Sequence, residues 1–408
     1  MKLGLGFEWR VALRFLREGR MQTVLIIVGV AAGVAVIAYI SALISGLQSN
    51  LIAKTLGAQA HISLRMPDDA VTPAMAHPAG TFVLTETQPR AQRIRSIANW
   101  QALVPVLEAN PMITAVSPKV AGAGLALRGE ATQAIALQGL ELDRYDKIID
   151  LRGKVVSGTA RLSPGEAILG NELANDLGVR VGDRLTLQTG SVTDGARVTA
   201  LVDLGVKDLN KRTVFVSLRS AQNALGLPGG ATSIDLKVND IWAAEAIAQD
   251  LRNQLPYKIE SWQESNTQLL SALNAQSSST SLIRAVVLVV VVLGIASVLV
   301  VSVVQKQREI GILRAMGATR AQILRLFLIQ GAVVGAVGSV LGIVLAVVMI
   351  WLFTSFVRGS DGLPLFDISL PFSLAVQVAS IATVCSVLAA IAPARRAAAM
   401  DPAQAIRI

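Results

Sequence analysis

Reactive side chains are sparse in this sequence, and none stands at a spacing that chemistry can use. The two histidines, His61 and His77, lack the cysteine and histidine company of a zinc site, and neither H-E-x-x-H nor G-x-S-x-G occurs. They read as a strand residue and a loop residue. Asp68 and Asp69 are neighbours in a polar stretch, where carboxylates are ordinarily solvated. The single cysteine, Cys385, lies in an apolar run, so no internal disulfide can form and the thiol reads as a small core residue. No G-x-x-x-x-G-K-[ST] loop is present to cradle nucleotide phosphates, so the chain cannot hydrolyse ATP by that route. No catalytic, cofactor-binding or metal-ligating residue is assigned, and the chain is not expected to be an enzyme.

Two short charged segments are organised nonetheless. One runs Gln305-Lys-Gln-Arg-Glu-Ile-Gly-Ile-Leu-Arg-Ala-Met-Gly-Ala-Thr-Arg-Ala-Gln322. Gly317 suits the left-handed position that ends a helix, and Thr319 with Gln322 forms a capping box that starts the next. Helix, sharp turn, helix is the expectation. The lone acid Glu309 sits among Lys306, Arg308 and Arg314. Ile310, Leu313 and Met316 make an apolar face that should not be left in water, which points to docking of a partner or to contact with a lipid surface. In the other segment Trp9, Ala12, Leu13 and Leu16 repeat at helical spacing, opposite Arg10, Arg14 and Arg17. That is an interfacial helix, anchoring to anionic lipid or touching a partner.

What must position these segments is a set of membrane spans. Of 408 residues, 52% are apolar and 16% charged, with a mean hydropathy of +0.55. A bilayer core takes about 20 apolar residues to cross. Four charge-free windows reach that length: Met21 to Ala53, Ala285 to Gln305, Leu326 to Val357 and Ile368 to Ala394. A buried charge of the kind that proton-coupled pumps use is missing from all four. The first window is too long for a signal-peptide core and has no clear cleavage pattern, so it reads as an uncleaved anchor. Gly331-x-x-x-Gly335 and Gly338-x-x-x-Gly342 in the third would let two helix backbones approach closely, within one subunit or between two.

Charge sets the orientation. Residues 1–20, 306–325 and 395–408 hold 13 Lys/Arg against four acids, a surplus of nine that equals the whole net charge; the remainder balances at 24 of each sign. The basic excess therefore follows the positive-inside rule and does not mark a nucleic-acid surface. Both termini are expected in the cytoplasm. The organisation read from the sequence is an interfacial helix at 1–20, a first span at 21–45, an extracytoplasmic domain at 46–284, a second span at 285–305, a cytoplasmic segment at 306–325, a third span at 326–357, a short external loop at 358–367, a fourth span at 368–392 and a cytoplasmic tail at 393–408.

The fold class is thus an integral membrane α-helical protein with a large α+β extracytoplasmic domain. At roughly 230 residues that domain exceeds the usual single core, which suggests two subdomains. Strand signals fall at His61 to Leu64, Thr132 to Gln138, Leu185 to Gln188 and Thr213 to Ser217. Helical ones fall at Glu166 to Leu177, ended by Gly178, and at Ile241 to Leu255. Thr189-Gly190 and Asp194-Gly195 carry turn chemistry, and the segment from Arg65 to Gly80 reads as a loop. Helical stalks are expected at Ser45 to Lys54 and Ser261 to Arg284.

Gln307-Arg-Glu-Ile-Gly-Ile-Leu-Arg-Ala-Met-Gly-Ala318 and Pro393-Ala-Arg-Arg-Ala-Ala-Ala-Met-Asp-Pro-Ala-Gln-Ala-Ile406 resemble the two cytoplasmic motifs of the MacB/FtsX-like permeases of ABC transporters, a family that includes LolC- and LolE-like proteins. Glu166-Ala-Ile-Leu-Gly-Asn-Glu-Leu-Ala174, Leu177-Gly-Val-Arg-Val-Gly-Asp183 and the N-terminal Ala12-Leu-Arg-Phe-Leu-Arg17 are similar too. The resemblance covers nearly the whole chain. It implies a bacterial inner-membrane permease paired with a second copy or a paralogue. ATP and Mg would be bound by a separate ABC ATPase subunit, docked on Arg308, Glu309, Ile310, Gly311, Leu313, Arg314, Met316 and Gly317. It implies further that ATPase closure moves the exterior domains, which act on a hydrophobic substrate, lipid or lipoprotein with a periplasmic adaptor or lipoprotein carrier. The ATPase fused to MacB itself is missing here. The segment between Leu187 and Val198 is shorter than the chaperone-capturing hairpin of LolC-like proteins. The alternative is an FtsX-like regulator that transmits motion to an extracytoplasmic partner without transport, although such proteins carry a smaller exterior domain.

Overall fold

The computed structural model describes residues 5–68, 94–358 and 368–400. Asp69, His77, most of the loop read at 65–80, nearly all of that at 358–367 and the tail beyond 400 lie outside the described residues. The chain divides into two compact units, Met1–Asn50 with Ser271–Ile408, and Leu51–Leu270.

Helix α1 (Leu5–Glu18) is followed after Gly19 by α2 (Arg20–Leu56). At about 1.5 Å per residue α2 is about 55 Å long, well beyond a bilayer core of about 30 Å. The polar stretch from Ser45 to Lys54 continues it without a break.

The second unit is built on a ten-stranded sheet. In chain order its elements are β1 (Ile62–Arg65), α3 (Trp100–Glu108), β2 (Ile113–Arg128), β3 (Ala131–Leu140), α4 (Leu142–Ile149), β4 (Val155–Gly158), β5 (Glu166–Gly170), α5 (Asn171–Leu177), β6 (Arg184–Thr189), β7 (Val192–Val202), α6 (Lys207–Arg212), β8 (Thr213–Ser217), α7 (Leu218–Ala224), β9 (Ser233–Val238), α8 (Ala244–Gln254), β10 (Lys258–Ser261) and α9 (Trp262–Ser265). The strand order is β10-β1-β9-β2-β3-β8-β5-β7-β4, with β6 joining β2 to β7. Pairing is antiparallel except at β3–β8 and β5–β7.

The expected two subdomains are instead two ends of one sheet. The long strand β2 pairs with β9 over its first half and with β3 and β6 over its second, so the sheet has no seam. Three apolar cores flank it, one of them formed by Ile168 and Phe215 with Tyr145, Ile148 and Ile149 of α4. Ile62, Leu64, Ile234, Leu236 and Trp262 pack with α3 and α8 at one end, while β3, β5, β7 and β8 pack with α5 and α7 at the other.

Residues 166–177 are not one helix. Glu166–Gly170 is a strand buried on both faces, with Ala167 and Leu169 in one core and Ile168 against Phe215 in another, and the helix begins only at Asn171. A strand covered on both sides is apolar throughout, so it lacks the alternation that would distinguish it. Gly178 ends α5 at φ 62°, and Gly190 turns the β6–β7 hairpin at φ 57°. Asp194-Gly195 makes no turn: the pair lies within β7, opposite Leu187 and Thr186.

The remaining helices are α10 (Thr267–Gln305), α11 (Gln307–Ala315), α12 (Arg320–Phe356) and α13 (Phe372–Ala399). Among the described residues α2, α10, α12 and α13 are long and apolar enough to cross a membrane. The boundary between the two units falls inside α2 and inside α10, which are unbroken helices there.

Candidate functional site

The glycines of α12 form one stripe at helical spacing, and each meets a neighbour within the chain. A Cβ on Gly331 would come 2.9 Å from Ala390, and one on Gly335 would come 2.7 Å from Ser386, both on α13. On Gly338 and Gly342 it would come 2.8 Å from Val30 and 2.7 Å from Val34 of α2. The small residues are thus spent on close packing inside one subunit. This packing seats α12, the helix that leads out of the charged segment, against α2 and α13.

That segment is α11 and its flanks. The chain leaves α11 through Gly317 at φ 98°, with Ala318 N–H donating to Leu313 O and Gly317 N–H to Arg314 O, both at 3.1 Å. This is the two-bond closure of a helix by a left-handed residue. Thr319 then caps α12: its Oγ1 accepts from Gln322 N–H, while Gln322 Oε1 accepts from Thr319 N–H at 2.9 Å. Two consecutive helix ends therefore have their caps satisfied over three residues.

The inward face of α11 is already covered. Ile310 is 1% exposed, in a cluster with Ala12 and Phe15 of α1, Phe327 of α12 and Ala394 of α13, and Leu313 packs against the same cluster. The apolar face expected to await a partner is thus largely occupied by the chain's own helices. Arg314 is turned inward as well, its Nη1 donating to the carbonyl oxygens of Ala398 and Met400. Of the eight residues singled out, Gly311 is buried, Glu309 is half-buried and Arg308, Met316 and Gly317 are exposed. Ile312, which the pattern did not single out, is 45% exposed beside Met316 at 78%. What α11 and its C-terminal cap present outward is Arg308, Ile312, Ala315 and Met316.

An ion-pair relay ties α11 to α1. Lys306 Nζ donates to Glu18 Oε2 at 2.9 Å and to Glu309 Oε1 at 2.7 Å, and Arg14 Nε donates to Glu18 Oε1 at 2.7 Å. The hydrogen bonds from Lys306 and then Arg14 hold the Glu18 carboxyl down at about 2. Burial opposes the charge on Lys306, but the two carboxylates outweigh it and its pKa is raised. The ammonium also lies 5.2 Å from the centre of the Phe15 ring.

Helix α1 is rotated from the expected register. Glu8, Ala12 and Phe15 face the bundle, while Trp9 and Leu13 are exposed beside the arginines. Glu8 is 2% exposed, with Oε1 lying 3.7 Å from Arg325 and Oε2 without a hydrogen-bond partner. The signal for this face is the i, i+4, i+7 spacing of residues 8, 12 and 15, which an acid at its head disguises.

In the second unit His61 is buried and serves the sheet, its Nδ1 accepting from Val238 N–H at 3.2 Å; burial, then the nearby Lys237, pushes its pKa down.

A bundle of four helices long and apolar enough to cross a membrane, a sheet-built unit and a capped charged turn together give the organisation of a membrane-protein class. The chain belongs to the MacB/FtsX-like permease family of ABC transporters: residues 23–254 match the MacB-like periplasmic core domain, and residues 281–402 match the FtsX-like permease C-terminal domain. It is similar to the lipoprotein-releasing system transmembrane protein LolC of Xylella fastidiosa, at 27% identity over 97% of this chain and 98% of that one. The corresponding LolE protein of Haemophilus influenzae is 27% identical over 93% of this chain and 92% of its own. The macrolide export ATP-binding/permease protein MacB of Acinetobacter baylyi is 24% identical over 98% of this chain and 59% of its own.

Proposed function

We propose that this chain is the membrane subunit through which a separate ABC ATPase moves an extracytoplasmic domain to extract or export a hydrophobic substrate, a lipid or a lipoprotein. The observation that carries the reading is the outward set Arg308, Ile312, Ala315 and Met316 on a helix whose other side is locked into the bundle. A partner pushing on that set moves α1, α12 and α13 with it. The sequence contains no phosphate-cradling loop, so nucleotide and Mg belong to the partner. Helices α2 and α10 run without interruption out of the bundle, which suits mechanical transmission. In this reading the chain lies in a bacterial inner membrane with both termini cytoplasmic, alongside a second copy or a paralogue, and hands substrate to a periplasmic adaptor or lipoprotein carrier. Similarity to lipoprotein-releasing proteins over nearly the full length of both chains supports that substrate class.

Purification of the tagged chain in mild detergent, with co-purifying proteins identified and ATP hydrolysis assayed, tests the reading. Recovery of a Walker-motif ATPase is expected. A chain recovered from native membranes without any ATPase would overturn it.

A further inference from the structure

Helix α1 packs Glu8, Ala12 and Phe15 inward and turns its arginines outward. Arg10, Arg14, Arg17 and Arg20 surround a shallow hollow of about 440 Å³, with Leu13 and Glu18 completing its wall. All four arginines are exposed. The one acid in the hollow is already engaged by Arg14 and by Lys306, which among the described residues leaves Arg10, Arg17 and Arg20 without a carboxylate on that surface. Beside them Trp9 is 49% exposed and Leu13 36%, and the exposed apolar row continues into α2 with Met21, Val24 and Leu25.

An arginine cluster flanked by an exposed tryptophan, at the point where a bilayer-length helix begins, has the chemistry of a headgroup site. Guanidinium forks bind phosphate oxygens, and an indole sits well at the boundary between headgroups and acyl chains. We propose that α1 binds the headgroup of an anionic phospholipid in the hollow formed by Arg10, Arg14, Arg17 and Arg20. Charge complementarity selects the occupant: the surface carries an uncompensated positive charge and an apolar edge, and an anionic leaflet offers phosphate over hydrocarbon. The site reports to the docking helix. Arg14 belongs both to the hollow and to the relay through Glu18 to Lys306 and Glu309, so lipid bound at α1 acts on the position of α11.

This inference rests on α2 and its companions spanning a membrane. The test uses the full chain purified into neutral detergent, with phosphatidylglycerol and phosphatidylcholine retained per chain measured by native mass spectrometry, and carbonate extraction of membranes run in parallel. Each arginine near an anionic surface is worth about a five-fold gain, so the variant R10Q/R17Q should lose retained phosphatidylglycerol by roughly 30-fold. The charge-preserving R10K/R17K should keep most of it. Both pairs are exposed, and an unchanged elution profile and melting temperature would certify folding. Equal retention of the two lipids by the wild type, or undiminished phosphatidylglycerol on R10Q/R17Q, would overturn the headgroup site while leaving the membrane reading intact. A variant that keeps phosphatidylglycerol but loses its ATPase partner would reassign the surface to protein docking. Release of the wild-type chain by carbonate would overturn the membrane reading and the lipid site with it.

Discussion

Lys306 Nζ lies 2.9 Å from Glu18 Oε2, joining the residue that precedes α11 to the last residue of the N-terminal helix. With Arg14 on the other carboxylate oxygen, Glu18 is the hinge pin of the relay. Its carboxyl is held at about 2 against an ordinary value of 4.5. A carboxylate with a depressed folded-state pKa contributes stability that is fully present above the unfolded value and fades as pH falls through the folded one. The melting difference between wild type and Glu18→Gln should therefore be constant at neutral pH and shrink from pH 4.5 down to about 2. The Arg14–Glu18 half of the relay is exposed, so raising salt towards 1 M should shrink the difference too. A difference insensitive to both would show that Glu18 acts through packing.

The two faces of α11 should separate by mutation. Ile310→Ala removes a fully buried side chain from the cluster around Phe327, and should cost about 2–4 kcal/mol of stability. Met316→Ala, at an exposed position, should change stability by less than about 0.5 kcal/mol. Yet it should weaken recovery of the ATPase partner. Equal loss of stability in both variants would mean that the outer face of α11 is packed in the native assembly of one chain.

Glycine positions in the bundle should sort by what stands opposite them. Gly335→Leu drives a side chain into Ser386 of α13, and overpacking of this kind costs about 1–3 kcal/mol or forces the helices apart. Gly29→Ala and Gly294→Ala meet nothing within 4 Å and should be neutral or slightly stabilising. Thermal unfolding of the three variants in detergent, at concentrations spanning any monomer–dimer equilibrium, distinguishes the alternatives. If the Gly335→Leu defect disappears on dilution to monomer, the glycine stripe serves an interface between copies.

How much of this was legible in the sequence follows from how local each signal is. A lipid-facing helix must be free of charge over about 20 residues, so the four apolar segments announce themselves. Gly317 and the Thr319–Gln322 box act over a few residues, and each stands where local rules put it. The strand at Glu166–Gly170 was hidden because burial on both faces erases the period of two. The register of α1 was hidden for a different reason: residues 9, 12, 13 and 16 fit the helical spacing as well as 8, 12 and 15 do, and choosing the second set needs Arg325, remote in sequence, to accompany a buried Glu8. Ile310 and Leu313 announce an apolar face, but a sequence does not say whether the chain or a partner will cover it. Here the chain covers it.

In the sheet unit, the pair Lys119 and Asp235 should behave as a buried strut. Lys119 on β2 and Asp235 on β9 are diagonal neighbours, since Ser117 stands opposite Asp235 and Lys119 opposite Ser233. The Asp235 side chain is 1% exposed, bonds Lys119 directly, and accepts from Ser63 Oγ of β1 at 3.0 Å and from Ser233 Oγ at 3.2 Å. One carboxylate thus ties three strands. Lys119→Met strands that charge in the sheet and should cost about 3–5 kcal/mol, because the hydroxyls alone do not replace an ammonium. The double variant K119M/D235L removes both charges at similar volume and should recover most of the loss, leaving only the two serine hydroxyls unsatisfied. Denaturant unfolding of the full chain, followed by far-UV circular dichroism, gives the coupling energy as a double-mutant cycle. Additive losses in the double variant would show that the two residues stabilise the sheet independently and that the strut is not one.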